Sequence, residues 1–319
     1  MLTQPADVRP AQGLRRCARK CATMPRIVSL LPSATEIVYA LGLGDQLVGV
    51  THECDYPDEA KAKPRLTKTF ITPKPRDGET VAKAIDREVR DSVHAAHSLY
   101  GIDSATLAQL EPDLVITQEL CDVCAVSSGL LRRTLAEVKS RAAILALEPM
   151  SLDGVFDTIR QVGDATGTRY RANAVVEDLR RRLNVLAQSV RNATSANPKT
   201  FVLEWTDPPF AAGHWTPELV EIAGGTPVLC FPNRESRTVA WDAISAADPD
   251  CIIVAPCGFS LDATAAAIAE LDATNAGWKR LKQSRLRRIY PMDGNQFNSR
   301  PGPRLVETAE LFAEMIHAT

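Results

Sequence analysis

Eight short runs rich in β-branched and aliphatic residues recur along the chain with helix-like stretches between them, and no other feature restricts the fold so much. The runs are "RIVSLL", "QLVGVT", "DLVIT", "AAILAL", "TFVLEW", "TPVLCF", "DCIIVA" and "RRIYPM". Strands alternating with helices predict an α/β architecture with mainly parallel sheets, because a parallel return needs a crossover helix. From Leu152 to Val190 the alternation stops. Long helical periodicity ("VFDTIRQVGDATG", "RANAVVEDLRRRLNVLAQSV") takes over and reads as a connector between two lobes. The expected organisation is a disordered tail over 1–24, with Met24 a candidate start. A first α/β lobe over 25–150, a helical connector over 151–195 and a second α/β lobe over 196–319 follow.

The two lobes repeat each other. "SATEIVYALG" (33–42) follows the first strand of the first lobe, and "TPELVEIAGG" (216–225) takes the matching place in the second. Aligned on Glu36 and Glu218, both continue into apolar positions and reach a glycine six residues later. Ser or Thr stands ahead of each glutamate, a pattern suited to a helix start, where free N–H groups and the dipole favour a carboxylate. "LEPDLVIT" (110–117) likewise mirrors "ADPDCIIVA" (247–255). Two lobes joined in this way leave a cleft, and in open α/β sheets ligands bind beyond the carboxyl ends of the strands.

A net charge of −2 and an aromatic fraction of 5% give no basis for nucleic-acid binding. No run of about 18 apolar residues occurs, so no membrane-embedded helix is expected. The first 23 residues are polar and Arg-rich, without the apolar core of a secretory signal. With eight cysteines suited to a reducing compartment, they lead to the expectation of a cytoplasmic protein. The chain carries no P-loop, G-x-S-x-G, H-E-x-x-H or glycine-rich dinucleotide turn, so no enzymatic motif stands out.

Several chemically capable residues fall just past strand ends. Cys54 follows "QLVGVT", Cys121 and Cys124 follow "DLVIT", and Cys257 follows "DCIIVA". A lone C-x-x-C lacks the second pair of a usual zinc site, yet thiolates from three loops are able to complete a zinc or iron site. The opposing reading is of thiols that never meet. Cys230 and Cys251 read as buried hydrophobes, while Cys17 and Cys21 belong to the tail. His94 and His97 read as solvent-facing on a charged helix. Glu204 and Trp205 end "TFVLEW", His214 and Trp215 follow soon after, and "DGNQFNSRPGPR" follows the last strand. Arg300 and Arg304 there are candidates for meeting a carboxylate or phosphate, or for ordering the loop.

Taken together, "RIVSLLPSATEIVYALG", "VGVTHECDYP", "LEPDLVITQ", "GHWTPELVEIAGG" and "ADPDCIIVAPCG" resemble the helical-backbone class of ABC-transporter substrate-binding proteins. The group they resemble is the one that binds vitamin B12 and ferric chelates. The resemblance runs from about Arg26 to the C-terminus. It implies two Rossmann-like lobes bridged by one long backbone helix and a ligand clamped between them. It also implies that Glu36 and Glu218 sit where such proteins dock on a permease. The expected function is therefore non-enzymatic binding of a corrinoid such as cobalamin, or of another small-molecule metal chelate. Trp205, Trp215 and Trp241 would supply flat apolar surface, and Glu204, His214, Asn295 and Arg300 would meet the polar periphery. The alternative is a zinc or iron thiolate protein built on Cys54, Cys121, Cys124 and Cys257.

Overall fold

The computed structural model describes residues 24–95, 98–118, 128–284 and 287–318. In the first lobe, strands β1 (Ile27–Ser29) and β2 (Leu47–Val50) are joined by helix α1 (Pro32–Ala40). An antiparallel ribbon of β3 (Thr67–Thr69) and β4 (Tyr100–Ile102) follows, with helix α2 (Val81–His94) carried between its strands. Helix α3 (Ser104–Leu110), β5 (Leu114–Thr117), α4 (Ser128–Glu137) and β6 (Ala143–Ala146) complete the lobe. Its main sheet is parallel throughout, in the order β2-β1-β5-β6.

The connector segment holds a shorter helix followed by the long backbone helix. Helix α5 (Leu152–Ala165) ends before Gly167, whose φ of 70° breaks the path, and α6 (Arg169–Ala193) then runs for 25 residues. At 1.5 Å per residue α6 is about 37 Å long, enough to back both lobes. Its buried stripe, Ala172, Val176, Leu179 and Leu183, follows the spacing of one helical face.

The second lobe begins with β7 (Lys199–Thr206), β8 (Pro209–Ala211), β9 (Gly213–His214) and α7 (Thr216–Ile222). It continues through β10 (Thr226–Pro227), β11 (Phe231–Pro232), β12 (Arg237–Thr238), α8 (Trp241–Ala247) and β13 (Cys251–Val254). Helices α9 (Leu261–Thr274) and α10 (Ala276–Ser284), strand β14 (Arg288–Pro291) and helix α11 (Leu305–His317) close the chain. Its main sheet runs β12-β8-β7-β13-β14, with β10 also paired to β7. "TPVLCF" is therefore not one strand. It pairs with β7 only at Thr226 and Pro227, turns through a left-handed Leu229 at φ 49°, and resumes on β9 as β11. Leucine is an unusual occupant of that region, and hydrophobicity alone does not reveal such a turn.

The central parallel strands of both main sheets are buried on both faces, as parallel strands require, while β8 and β12 extend the second sheet antiparallel. In β1, Ile27 faces one core and Val28 the other; in β13, Cys251 and Ile253 alternate with Ile252 and Val254 in the same way. One face of each sheet meets a single continuous core filled by α1, α5, α6, α7 and α11. The two lobes thus share their largest hydrophobic cluster.

The sequence duplication is a duplication of backbone. Gly42 and Gly224 both adopt positive φ, 69° and 79°. After each, the next amide bonds back five residues, Leu43 N to Val38 O and Gly225 N to Val220 O, the Schellman closure that favours glycine. Glu111 and Asp248 are both left-handed caps, on α3 and α8. Asp113 then accepts the Arg26 amide at 2.8 Å, and Asp250 accepts the Lys199 amide at 2.8 Å. Each aspartate pins the strand beside its own.

Candidate functional site

The carboxyl ends of the two sheets bring together a polar cluster drawn from both lobes. Glu36 lies in the middle of α1, a full turn later than a helix-start residue, and is only 3% exposed. Arg304 engages it bidentately, Nη2 to Oε1 at 2.6 Å and Nε to Oε2 at 3.0 Å. Arg300 Nη1 stands 3.5 Å from the same Oε1 and donates to Asp55, in the loop after β2. Arg300 Nη2 donates to Asn295 Oδ1 at 3.2 Å and to the Glu53 carbonyl at 3.4 Å. The Arg304 guanidinium also lies 4.0 Å from the centroid of the Tyr56 ring. The first lobe contributes two carboxylates and the second two guanidiniums, so the charges balance only when the lobes meet.

Burial pushes the Glu36 carboxyl up from the ordinary range, against the pull of Arg304 and Arg300. At Asp55 burial acts in the same upward sense, but the hydrogen bond and charge of Arg300 overcome it and hold that carboxyl low. A depressed carboxyl stabilises the fold above its unfolded value. The Asp55 share of this clasp is therefore complete above about pH 4 and fades as pH falls through the lowered value.

A second group lies at the end of β7. Glu204 accepts from Thr216 Oγ1 at 3.0 Å, from Asn298 Nδ2 at 3.0 Å and from Ser236. Trp215 is buried, and its indole N–H donates to the Asn298 carbonyl at 3.1 Å. His214 is half-buried beside it with a left-handed backbone at φ 54°, and the ring centroids are 5.3 Å apart. A non-glycine residue held there is locally strained, a feature that clusters at ligand sites. Its amide donates to Arg234 O at 2.7 Å, which holds the backbone at this position.

The structure thus unites Glu204, Trp215, Asn295 and Arg300 through the 294–300 segment. Gly294–Asn298 form a π-helical turn capped by Asp293, which accepts the Gln296 amide at 2.8 Å. Trp205 sits apart, edge-on to Phe259 at 5.3 Å and packed with Ala82 of α2. Trp241 does not join the site. It packs against Trp278 at 5.6 Å and over Gly277, in the core on the opposite face of the second sheet from Val202. Its place after a turn gave no hint of which face it would take. Asp55, Ser236 and Asn298 escaped the sequence reading because each is an ordinary polar loop residue until the fold closes; the one available signal was Asp55 standing beside Cys54 at a strand end.

The two duplicated glutamates are engaged within the chain to different degrees, Glu36 buried and Glu218 half-buried. Glu36 is engaged by its own chain's arginines. Glu218 accepts the Leu152 amide at 2.8 Å, so it satisfies one of the open N–H groups of α5 from the neighbouring lobe. Burial raises its carboxyl and that amide lowers it in part.

Cys54 is withdrawn from a thiolate site. Its Sγ lies 3.0 Å from Thr35 Oγ1, it is 1% exposed, and burial pushes the thiol up to about 11. Cys251 is pushed up to about 12 for the same reason. Cys257 is exposed after β13. Cys121, Cys124, Cys17, Cys21 and His97 lie outside the described residues. Among the described residues no three His, Cys, Asp or Glu side chains gather as a metal requires. His94 ends α2 exposed, as expected. Near neutral pH, iodoacetamide should alkylate Cys54 and Cys251 only after denaturation, as read by mass spectrometry; rapid reaction in the native protein would contradict their buried, protonated state.

Two α/β lobes with facing strand ends, a shared core and a backing helix define a ligand-binding protein of the helical-backbone, two-lobed class. Residues 27–295 match the family described as periplasmic binding protein, and the chain belongs to it. An uncharacterized ABC transporter substrate-binding lipoprotein of Bacillus subtilis is 26% identical over 92% of this chain and 80% of its own length. A vitamin B12-binding protein of Vibrio cholerae is 24% identical over 89% of this chain and 86% of its own. The crystal structure of a periplasmic heme binding protein from Pseudomonas aeruginosa superposes with a TM-score of 0.64 at 19% identity, covering 93% of this chain and 94% of that one. No helix among the described residues is long and apolar enough to cross a membrane.

Proposed function

We propose that the chain binds a corrinoid, or a closely related metal chelate such as a heme or ferric chelate, between its lobes. The observation that carries this reading is the strained His214 beside the buried Trp215, next to a polar rim of Glu204, Asn295 and Arg300. A flat apolar face with a few fixed polar groups at its edge is what a large chelate needs. A half-buried imidazole adds a ligand able to reach the chelated metal. The vitamin B12-binding relative supports the corrinoid over the other chelates.

Cyanocobalamin in excess should raise Tm in differential scanning fluorimetry, with hemin and a ferric siderophore as competitors. If none of the three shifts Tm, the reading is wrong. Substituting His214 by Ala should weaken binding and change the visible spectrum of the bound chelate if its imidazole reaches the metal.

The reading extends to an ABC permease as partner, supported by the substrate-binding lipoprotein among the relatives. We propose a cytoplasmic setting as the alternative to this partner, since a binding protein delivers its ligand at the outer face of such a permease; the free thiols at Cys54 and Cys251 fit it. Cell fractionation with an antibody to the chain tests it, and recovery outside the cytoplasm would refute it.

A further inference from the structure

The first lobe does more than face the second. Between β3 and β4 it sends out a strap, residues 70–95, whose helix α2 lies on the other lobe. The seat has two parts. At the start of α2, the Val81 amide donates to Glu270 Oε2 at 3.1 Å, and Thr80 Oγ1 donates to Asp207 Oδ2 at 3.1 Å. Both acceptors belong to the second lobe, and both carboxylates stand at the positive end of a 14-residue helix. Beside them is a small apolar seat of Ala82, Phe259 and Ala267, flanked by Ile85, Trp205 and Ala263.

This seat is slight compared with the core shared by the lobes. Its deepest strap residue is an alanine, and Phe70, Val81 and Val93 leave large apolar side chains in solvent along the strap. Asp86 also faces it: burial raises its carboxyl, Arg90 lowers it, and the like charge of Asp207 opposes it across the interface. Elements held by few buried apolar contacts open at lower free energy than the core around them.

We propose that α2 is a detachable strap that seats on the second lobe over Trp205, and that its release uncovers this indole to a ligand entering the cleft. Trp205 is half-buried in the seated state, and release exposes the rest of its ring, which lies beneath Ala82 and beside Phe259. The consequence for ligand entry rests on the chelate-binding reading; the release of the strap does not.

Two variants test it. Ala82→Glu places a carboxylate in the apolar seat, and Glu270→Gln removes the charge that receives the helix N-terminus without touching the core. Hydrogen exchange over residues 80–94 should be faster than over α5 in the unmodified protein and faster still in both variants. Acrylamide quenching of Trp205, taken as the difference from Trp205→Phe, should rise in parallel, and cyanocobalamin should associate faster with the variants. Protection of α2 equal to that of α5 in both variants overturns the proposal. So does loss of α2 protection with unchanged quenching, because the strap then does not cover Trp205. If the unmodified protein binds no cyanocobalamin, the chelate reading falls while exchange and quenching still decide the strap.

Discussion

Glu36→Ala should lower unfolding stability by about 3–5 kcal/mol, the range for removing one partner of a buried ion pair. The loss arises less from the vanished attraction than from what remains. Arg304 is 5% exposed, and without Glu36 its guanidinium keeps, among the described residues, only the long contact to Gln296 Oε1 at 3.4 Å and the faces of Tyr56 and Phe297. Arg300 is less affected, because Asp55 still receives it. Glu36→Gln should cost less, since a neutral amide still accepts one hydrogen bond. The double variant Glu36→Leu with Arg304→Met should recover most of the loss, because replacing a buried pair together avoids an orphaned charge. Urea unfolding of the four proteins checks this. A Glu36→Ala protein within about 0.5 kcal/mol of the parent, the range of ordinary surface substitutions, would show that the pair is not closed in solution.

Gly294→Ala is the second large effect. A Cβ at this position would stand 2.2 Å from the Pro256 carbonyl oxygen and 2.6 Å from the Ala255 carbonyl, both main-chain atoms after β13. Neither is able to swing aside, so the 294–298 turn must move. That turn carries Asn295 and Asn298, leads directly to Arg300, and is tied to the second lobe by Asn295 N on Phe259 O at 3.1 Å. A stability loss of about 3 kcal/mol, at the upper end for overpacking, is expected together with loss of cyanocobalamin binding. Gly129→Ala is the control: among the described residues nothing lies within 4 Å of its Cβ site, and it should be neutral or slightly stabilising. Equal thermal denaturation of the two variants would refute the steric account.

Much of the fold was legible because its signals are short-range. Seven of the eight apolar runs overlap β1, β2, β5, β6, β7, β13 and β14; the eighth, "TPVLCF", failed at a left-handed leucine that hydrophobic pattern does not encode. The connector was read correctly as helical, and Gly167 marks the break within it. The site was legible only in part. Glu204, Trp215, Asn295 and Arg300 come together, whereas Trp241 turns to the opposite face of its sheet, because a residue at a helix start has no alternation to fix its side.

The duplicated glutamates show where the division falls. Sequence by itself determined that Glu36 and Glu218 occupy equivalent places, that each helix closes on a glycine at positive φ, and that Asp113 and Asp250 stand one residue before their strands. These follow from turn chemistry and periodicity, which act over a few residues. Tertiary structure alone decided that Glu36 receives Arg304 from 268 residues away, and that Glu218 caps α5 across the lobe boundary. The physical reason is that a buried charge takes its meaning from whichever partner shares its desolvated space. That partner is chosen by the packing of two lobes around one core, and no local pattern in the chain specifies it.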